Sequence, residues 1–131
     1  MDLFIKDDDG KEFILKLYRF IQEVLAKNYT VKYSEDKKCI YIGYKYFYIY
    51  FLLDDNIDGL CEEYDIDANI CIIINIYNKV YEQALNEIRM IIEWLLKRNQ
   101  NDIMLLDEQS LHVFCRKQGQ IATNNYCWYF N

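Results

Sequence analysis

Two stretches of helical periodicity, far apart in the chain and separated by strand-type sequence, limit what this polypeptide can fold into. Across residues 13–25, Phe13, Ile14, Leu17, Phe20, Ile21, Val24 and Leu25 recur at the 3.6-residue spacing of one helix face, ending near Lys27-Asn28. The second stripe, Tyr81, Ala84, Leu85, Ile88, Ile91, Ile92 and Leu95, is opened by Asn78-Lys79 and runs to about Arg98. Between them, residues 29–33, 39–42, 46–53 and 70–76 read as strands, the middle two as a hairpin around Gly43. After a break at Asn99-Gln100-Asn101-Asp102, residues 103–106, 111–116 and 121–128 read as closing strands, with a turn at Lys117-Gln118-Gly119. The order α-β-β-β-β-α-β-β(-β) predicts an α+β fold, with two long helices packed on one face of a mostly antiparallel sheet. The 131 residues contain no repeat, no Pro and no linker, so one domain over 1–131 is expected.

The formal charge of −6 argues against a broad phosphate-binding surface, and no nucleic acid partner is expected. That charge is concentrated. Asp54, Asp55, Asp58, Glu62, Glu63, Asp65 and Asp67 lie within residues 54–67, where there is no Lys or Arg. The local −7 exceeds the whole chain's −6, so the remainder is close to neutral. Residues 54–67 read as an acidic loop able to steer and hold a basic partner, such as a cationic nuclease or a pore-forming toxin. Asp54, Asn56 and Asp58 followed by Gly59 also imitate the start of a calcium loop. Its twelfth position is Asp65 rather than Glu and its flanks are strand-like, so no metal and no cofactor is expected.

Ile, Lys, Asn and Tyr together make about 40% of the chain, a bias of the kind AT-rich genomes produce. A tyrosine therefore needs positional support before it is assigned a role. Strand alternation supplies it: Tyr44, Tyr46, Tyr48 and Tyr50 would share one face, and Phe47, Ile49, Phe51 and Leu53 the other. The second set belongs under the helices. The tyrosine set would line the opposite face as a partner platform, a rigid ring with a polar tip being a frequent hot-spot side chain. Met90 and Trp94, four residues apart on the flank of the second helix, are a further candidate contact.

Catalysis has little support. The lone histidine, His112, would point to the opposite face of its strand from Cys115 and share a face with Phe114 and Arg116. The chain has no Gly-rich phosphate loop, Ser elbow or metal-binding His pair, and it is not read as an enzyme. Cys39, Cys61, Cys71, Cys115 and Cys127 are odd in number and contain no Cys-x-x-Cys, which fits reduced core thiols. No apolar run approaches a membrane span, and the first nine residues lack the pattern of a secretory signal. A bacterial cytoplasmic protein without a membrane partner is expected.

From Ile70 to Trp128 the order of signals resembles a bacterial immunity family. An apolar strand (Ile72-Ile73-Ile74-Asn75-Ile76) precedes an Asn78-Lys79 helix start and a long amphipathic helix. Then come Asn101-Asp102-Ile103-Met104-Leu105-Leu106, the turn Val113-Phe114-Cys115-Arg116-Lys117-Gln118-Gly119, and a late Trp128. This C-terminal half is similar to the Sit-type immunity proteins, cytoplasmic antidotes to polymorphic toxins delivered by bacterial kin. It departs from the family where a Gly-Asp break is replaced by Asn101-Asp102. The resemblance implies neutralisation of a cognate toxin by tight binding, without catalysis. The alternative is an acidic secretion chaperone that binds an effector protein. Self-association as a homodimer stays open under either reading.

Overall fold

The computed structural model describes residues 1–36 and 39–125. Its strands are β1 (Asp2–Ile5), β2 (Lys32–Glu35), β3 (Ile40–Gly43), β4 (Phe47–Leu53), β5 (Ile70–Ile76), β6 (Ile103–Leu106), β7 (His112–Lys117) and β8 (Gln120–Asn124). The helices are α1 (Lys11–Phe20), α2 (Asp58–Tyr64) and α3 (Tyr81–Arg98). Every neighbouring pair of strands is antiparallel, in the order β2-β3-β4-β5-β1-β6-β7-β8. The α+β class and the two long helices on one sheet face are as the periodicity predicts.

Strand β1 was not expected, and it lies in the middle of the sheet between β5 and β6. Leu3 and Ile5 face the long helices while Phe4 faces the other way, and all three are buried. A strand covered on both faces shows no apolar–polar alternation, so its periodicity is invisible in four residues. The crossover from β1 through α1 to β2 and that from β5 through α3 to β6 start on antiparallel strands and travel in opposite directions across the sheet. Right-handed crossovers of that kind put both helices on the same face. The main core forms there, from Phe13, Ile14 and Leu17 of α1, Ile88, Ile91 and Ile92 of α3, and the inward residues of β3, β4 and β5.

Several boundaries move. The first helix widens at its end, where Ile21–Leu25 forms a π-helical turn before Ala26. The strand expected at 29–33 forms three residues later, at Lys32–Glu35. Gly43 ends β3 instead of centring a turn; the hairpin turn is 44–46, closed by the Tyr44 amide donating to the Phe47 carbonyl at 3.0 Å. The part of the expected last strand beyond residue 125, with Cys127, Trp128 and Phe130, lies outside the described residues.

The largest correction concerns residues 54–67, which are not a loop. Asp54–Ile57 forms a 3-10 turn that runs into α2, and Asp65 ends the helix in the left-handed conformation at φ 52°. Ile57, Leu60, Cys61 and Tyr64 recur at helical spacing and pack with Phe4, Cys71, Met104 and Leu106 on the sheet face opposite α1 and α3. Carboxylates at the start of the segment favour its positive helical end.

Two arginines fasten the end of α3. The Arg116 side chain of β7 is 6% exposed and donates to the carbonyls of Asn101 (3.0 Å), Leu96 (3.4 Å) and Asn99 (2.9 Å). Leu96 and Asn99 are at the helix end, where carbonyls lack an intrahelical partner, and Asn101 lies in the turn that follows. Arg98 pairs with Asp7 (3.1 Å) and Asp9 (3.1 Å) of the β1–α1 turn. Arg116→Ala is expected to cost about 2–3 kcal/mol, since it leaves buried carbonyls without donors. Arg116→Lys should recover only part of this, because an ammonium cannot span three acceptors set by a planar fork. Urea unfolding followed by circular dichroism checks both: the midpoint should fall at an unchanged slope.

Candidate functional site

The side of the sheet away from α1 and α3 is only half covered. Residues 54–67, with α2, lie over β1, β5, β6 and β7, while among the described residues no helix covers β2, β3 and β4 on that side. The outcome is a step, with an open floor of three strands beside a raised helical ledge about 10 Å thick.

Tyrosines line the floor, though not the four that alternation selects. Tyr48 and Tyr50 of β4 do point there. Tyr44 and Tyr46 do not, because extended backbone begins only at Phe47. Tyr44 turns into the helix-side core, 5% exposed and packed against Phe47 at 5.1 Å. Tyr46 is half-buried against that core, 5.5 Å from Tyr44. Their places on the floor go to Tyr41 and Tyr77. Tyr41 is paired across the ladder with Tyr50, and its ring centroid lies 5.4 Å from that of Tyr50 and 6.1 Å from that of Tyr48. Tyr48 in turn is 5.5 Å from Tyr50 and 5.7 Å from Tyr77. Burial, together with Tyr77, Tyr50 and Tyr48 beside it, raises the Tyr41 hydroxyl above the usual phenol range.

Gly43 makes this packing possible. A Cβ at that position would sit 2.8 Å from the Tyr41 hydroxyl and 2.9 Å from its ring. The Tyr41 ring therefore occupies the space a side chain at Gly43 would take. A cross-strand reading of the β3–β4 hairpin would have found Tyr41, since it alternates with the buried Ile40 and Ile42. Tyr77 gave no such signal, because it follows the last residue of β5. Tyr41, Gly43 and Tyr77 wall a shallow groove rimmed by Lys32 and Lys45. The Lys45 ammonium stands 4.1 Å over the Tyr29 ring and donates to its hydroxyl at 2.9 Å. On this face β2, β3 and β4 carry Lys32 but no carboxylate, and Asp2 of β1 borders the step.

The ledge has the opposite charge. Asp65 pairs with Lys117 at 3.5 Å and Asp67 with Lys6 at 3.6 Å. Among the described residues, the other five carboxylates, Asp54, Asp55, Asp58, Glu62 and Glu63, have no cationic partner within 4.0 Å, and all five are exposed. No group of three or more His, Cys, Asp or Glu among the described residues is placed to hold a metal ion. Asp54 and Asn56 lie in the 3-10 turn and Asp58 opens α2.

Trp94 does not join Met90 in an exposed pair. It fills the seam between the long helices, stacked on Phe20 at 5.1 Å with 16° between the rings, 5.8 Å from Phe13 and under the Arg98 guanidinium at 5.1 Å. Met90 alone remains open, at 40% exposure. The β7 strand carries a further correction. A bulge opposite Leu105 and Leu106 turns Val113 and Phe114 both toward the long helices. His112 and Cys115 consequently share the ledge side, with His112 against Tyr64 at 6.4 Å. Burial raises the Cys115 and Cys61 thiols and pushes Cys71 up to about 12, so these thiols stay protonated near neutral pH.

No protein-family model, curated protein or solved structure matches the chain. Among the described residues, no helix is long and apolar enough to cross a membrane.

Tyr44 brings one titrating group into play behind the site. Its hydroxyl reaches the Leu25 carbonyl at 3.4 Å and hydrogen-bonds Glu87, while a second Glu87 oxygen is buried without a partner. Burial raises the Glu87 carboxyl above its ordinary range, more than the Tyr44 hydrogen bond and Lys45 lower it. The folded chain then holds this proton more tightly than the unfolded chain, so stability falls as pH rises through the upper carboxylate range. Glu87→Gln is expected to be the more stable form at pH 7, by less than about 1 kcal/mol because the group is only partly buried. The gain should vanish below about pH 4, where both forms are neutral in either state. Thermal melts across pH 3–8 measure the difference.

Proposed function

We propose that this chain is an immunity protein that binds a cognate bacterial toxin and neutralises it by occlusion, through the tyrosine floor and the acidic ledge. One observation carries the reading: a floor of packed, partly exposed tyrosines lies directly beside five carboxylates that no side chain of the described residues neutralises. Tyrosines supply a hot spot that loses little rotamer entropy on binding, because two torsions fix the whole ring. The carboxylates supply long-range attraction for a basic surface and raise the rate of encounter. Neither requires a bond to be made or broken. The C-terminal resemblance to Sit-type immunity proteins points the same way. A toxin acting inside the cell would be met in the cytoplasm, where reduced thiols are at home.

The direct experiment is co-expression with the product of a toxin-like reading frame beside this gene: the chain should restore growth and co-purify with that product. If the neighbouring frame encodes a secretion effector that the chain holds in a secretable state, the chaperone alternative is the correct one. Within the immunity reading the two surfaces separate kinetically. Replacing Asp54, Asp55 and Asp58 by Asn and Glu62 and Glu63 by Gln should slow association about tenfold or more at low salt and flatten its salt dependence. Tyr48→Ala and Tyr50→Ala should instead quicken dissociation, each by about 2 kcal/mol. Stopped-flow or surface-based kinetics over a salt series reads both, and an on-rate indifferent to the five amide replacements would remove the ledge from the interface.

A further inference from the structure

The uncovered half of this face has the dimensions of one helix. The ledge stands about 10 Å above the floor, the diameter of a helix with its side chains. From the ledge to the outer edge of β2 the floor is three strands wide, about 14 Å at about 4.8 Å per strand, which admits one helix and not two. Along β4 its seven residues run about 22 Å, the length of about 15 helical residues, or four turns. The chain finishes the neighbouring half of the same face with a helix of its own, α2. The two ends of the floor differ in charge. At the 44–46 end stands Lys32, opposite Gly43 in the ladder, with no carboxylate within 4.0 Å among the described residues. Lys45 adds its charge to that end, although its ammonium is already held over the Tyr29 and Tyr46 rings. The other end, where Leu53 pairs with Ile70, leads into the exposed and unpaired Asp54, Asp55 and Asp58 of the ledge. Tyr41, Tyr48 and Tyr50 lie between these poles.

We propose that the open floor seats one amphipathic helix of the toxin, about four turns long, with its acidic first turn at Lys32 and its basic last turn at Asp54, Asp55 and Asp58. The proposal rests on the toxin-binding reading above and names the element by which the toxin is recognised. An added strand would be recognised by backbone groups at a sheet edge, whereas the floor offers ring faces. A helix sets apolar side chains at i, i+3, i+4 and i+7 against such a surface. Acidic residues in the first turn and basic ones in the last are also the distribution a helix dipole favours, so the charges that orient the partner helix stabilise it as well. Full side-chain charges outweigh the half charges of the dipole at each end, and they fix the direction. A floor of about 300 Å² is far smaller than a standard interface, so an isolated helix binds it weakly, with a dissociation constant of about 100 μM.

Two synthetic helices of about 16 residues, lactam-bridged on the outer side so that both are helical, serve as probes. They share one composition and one leucine stripe; the first has Glu in its first turn and Lys in its last, the second the reverse. Fluorescence anisotropy with the whole chain at about 50 mM salt should show the acid-first helix bound about fivefold or more tighter than the base-first one. The difference should shrink at about 500 mM salt. Tyr48→Ala should weaken the acid-first helix by about fivefold or more. Lys32→Glu combined with Asp54→Lys and Asp55→Lys exchanges the poles and should make the base-first helix the tighter ligand, an inversion that a general loss of stability does not produce. If that triple variant does not fold, by circular dichroism, Lys32→Glu alone should bring the two affinities together. Neither helix binding at about 1 mM overturns the proposal, and so does equal binding of both by the parent chain. The toxin reading fails separately. Acid-first binding with no toxin-like frame beside the gene supports the helix seat and removes only the toxin as the owner of the helix. A neutralised toxin that covers Tyr48 and Tyr50 with a loop or a strand, seen in the structure of the complex, overturns the helix and leaves the immunity reading in place.

Discussion

A carboxylate taken out of water has to be met by charge and by hydrogen-bond donors, and Asp7 is met by both. It is 4% exposed and is held by the Arg98 guanidinium through two bonds, of 3.1 and 3.3 Å, and by the Asp9 amide at 3.0 Å. Its own backbone is clasped by Asn69, which accepts from the amide and donates to the carbonyl, both at 2.9 Å. The residue thereby binds the exit of β1 to the end of α3 and to the approach of β5. Removing one partner of such a pair would strand the other charge in the interior, which is far costlier than never having buried either. Arg116 extends the same junction by closing the carbonyls beyond α3. The long helices can lie side by side, with Trp94 between them, because their ends are fixed at this point.

How much of this could be read from the residues depended on whether a segment had one wet side or ran long enough without one. Helices α1 and α3 and strand β4 were legible because stripes or alternation marked their buried residues, and β5, covered on both faces, because its apolar run spans seven residues. Strand β1 was not, since burial on both sides erases alternation in Leu3-Phe4-Ile5. Residues 54–67 failed for another reason: a dense run of carboxylates suggests solvent, and it masked Ile57, Leu60, Cys61 and Tyr64 at helical spacing. The tyrosine face was half legible. Alternation is a statement about extended backbone only, and 44–46 is a turn, so two of the four tyrosines rotate out of the pattern. Their replacements come from neighbouring strands, and pairing register is information that one strand's sequence does not contain.

The step on the open face follows from the same economy of cover. A sheet of eight strands exposes more apolar area on its second face than one short helix can hide. The centre, where Phe4, Cys71 and Met104 stand, is covered by α2. The flank is finished with tyrosines, whose rings lie against one another while their hydroxyls stay hydrated. Gly43 is the smallest element of this solution, leaving the space the Tyr41 ring fills, and a side chain there would displace that ring.

The position of β1 reaches beyond the finished fold into the order in which it can be made. Residues 2–5 leave the ribosome well ahead of their ladder partners, residues 70–73 on one side and 103–106 on the other. Synthesis at about 5–20 residues per second separates the first strand from its second neighbour by several seconds. Until residues 70–73 exist, Leu3, Phe4 and Ile5 have no ladder partner, and the β2–β3–β4 hairpins, which need only local pairing, are free to form ahead of them. The centre of the sheet thus closes only after the β2–β3–β4 flank can have formed. The nascent chain carries an apolar strand with both edges open until residues 70–73 exist and one edge open until residues 103–106 exist, and any factor that shields hydrophobic segments during translation would find its binding site there.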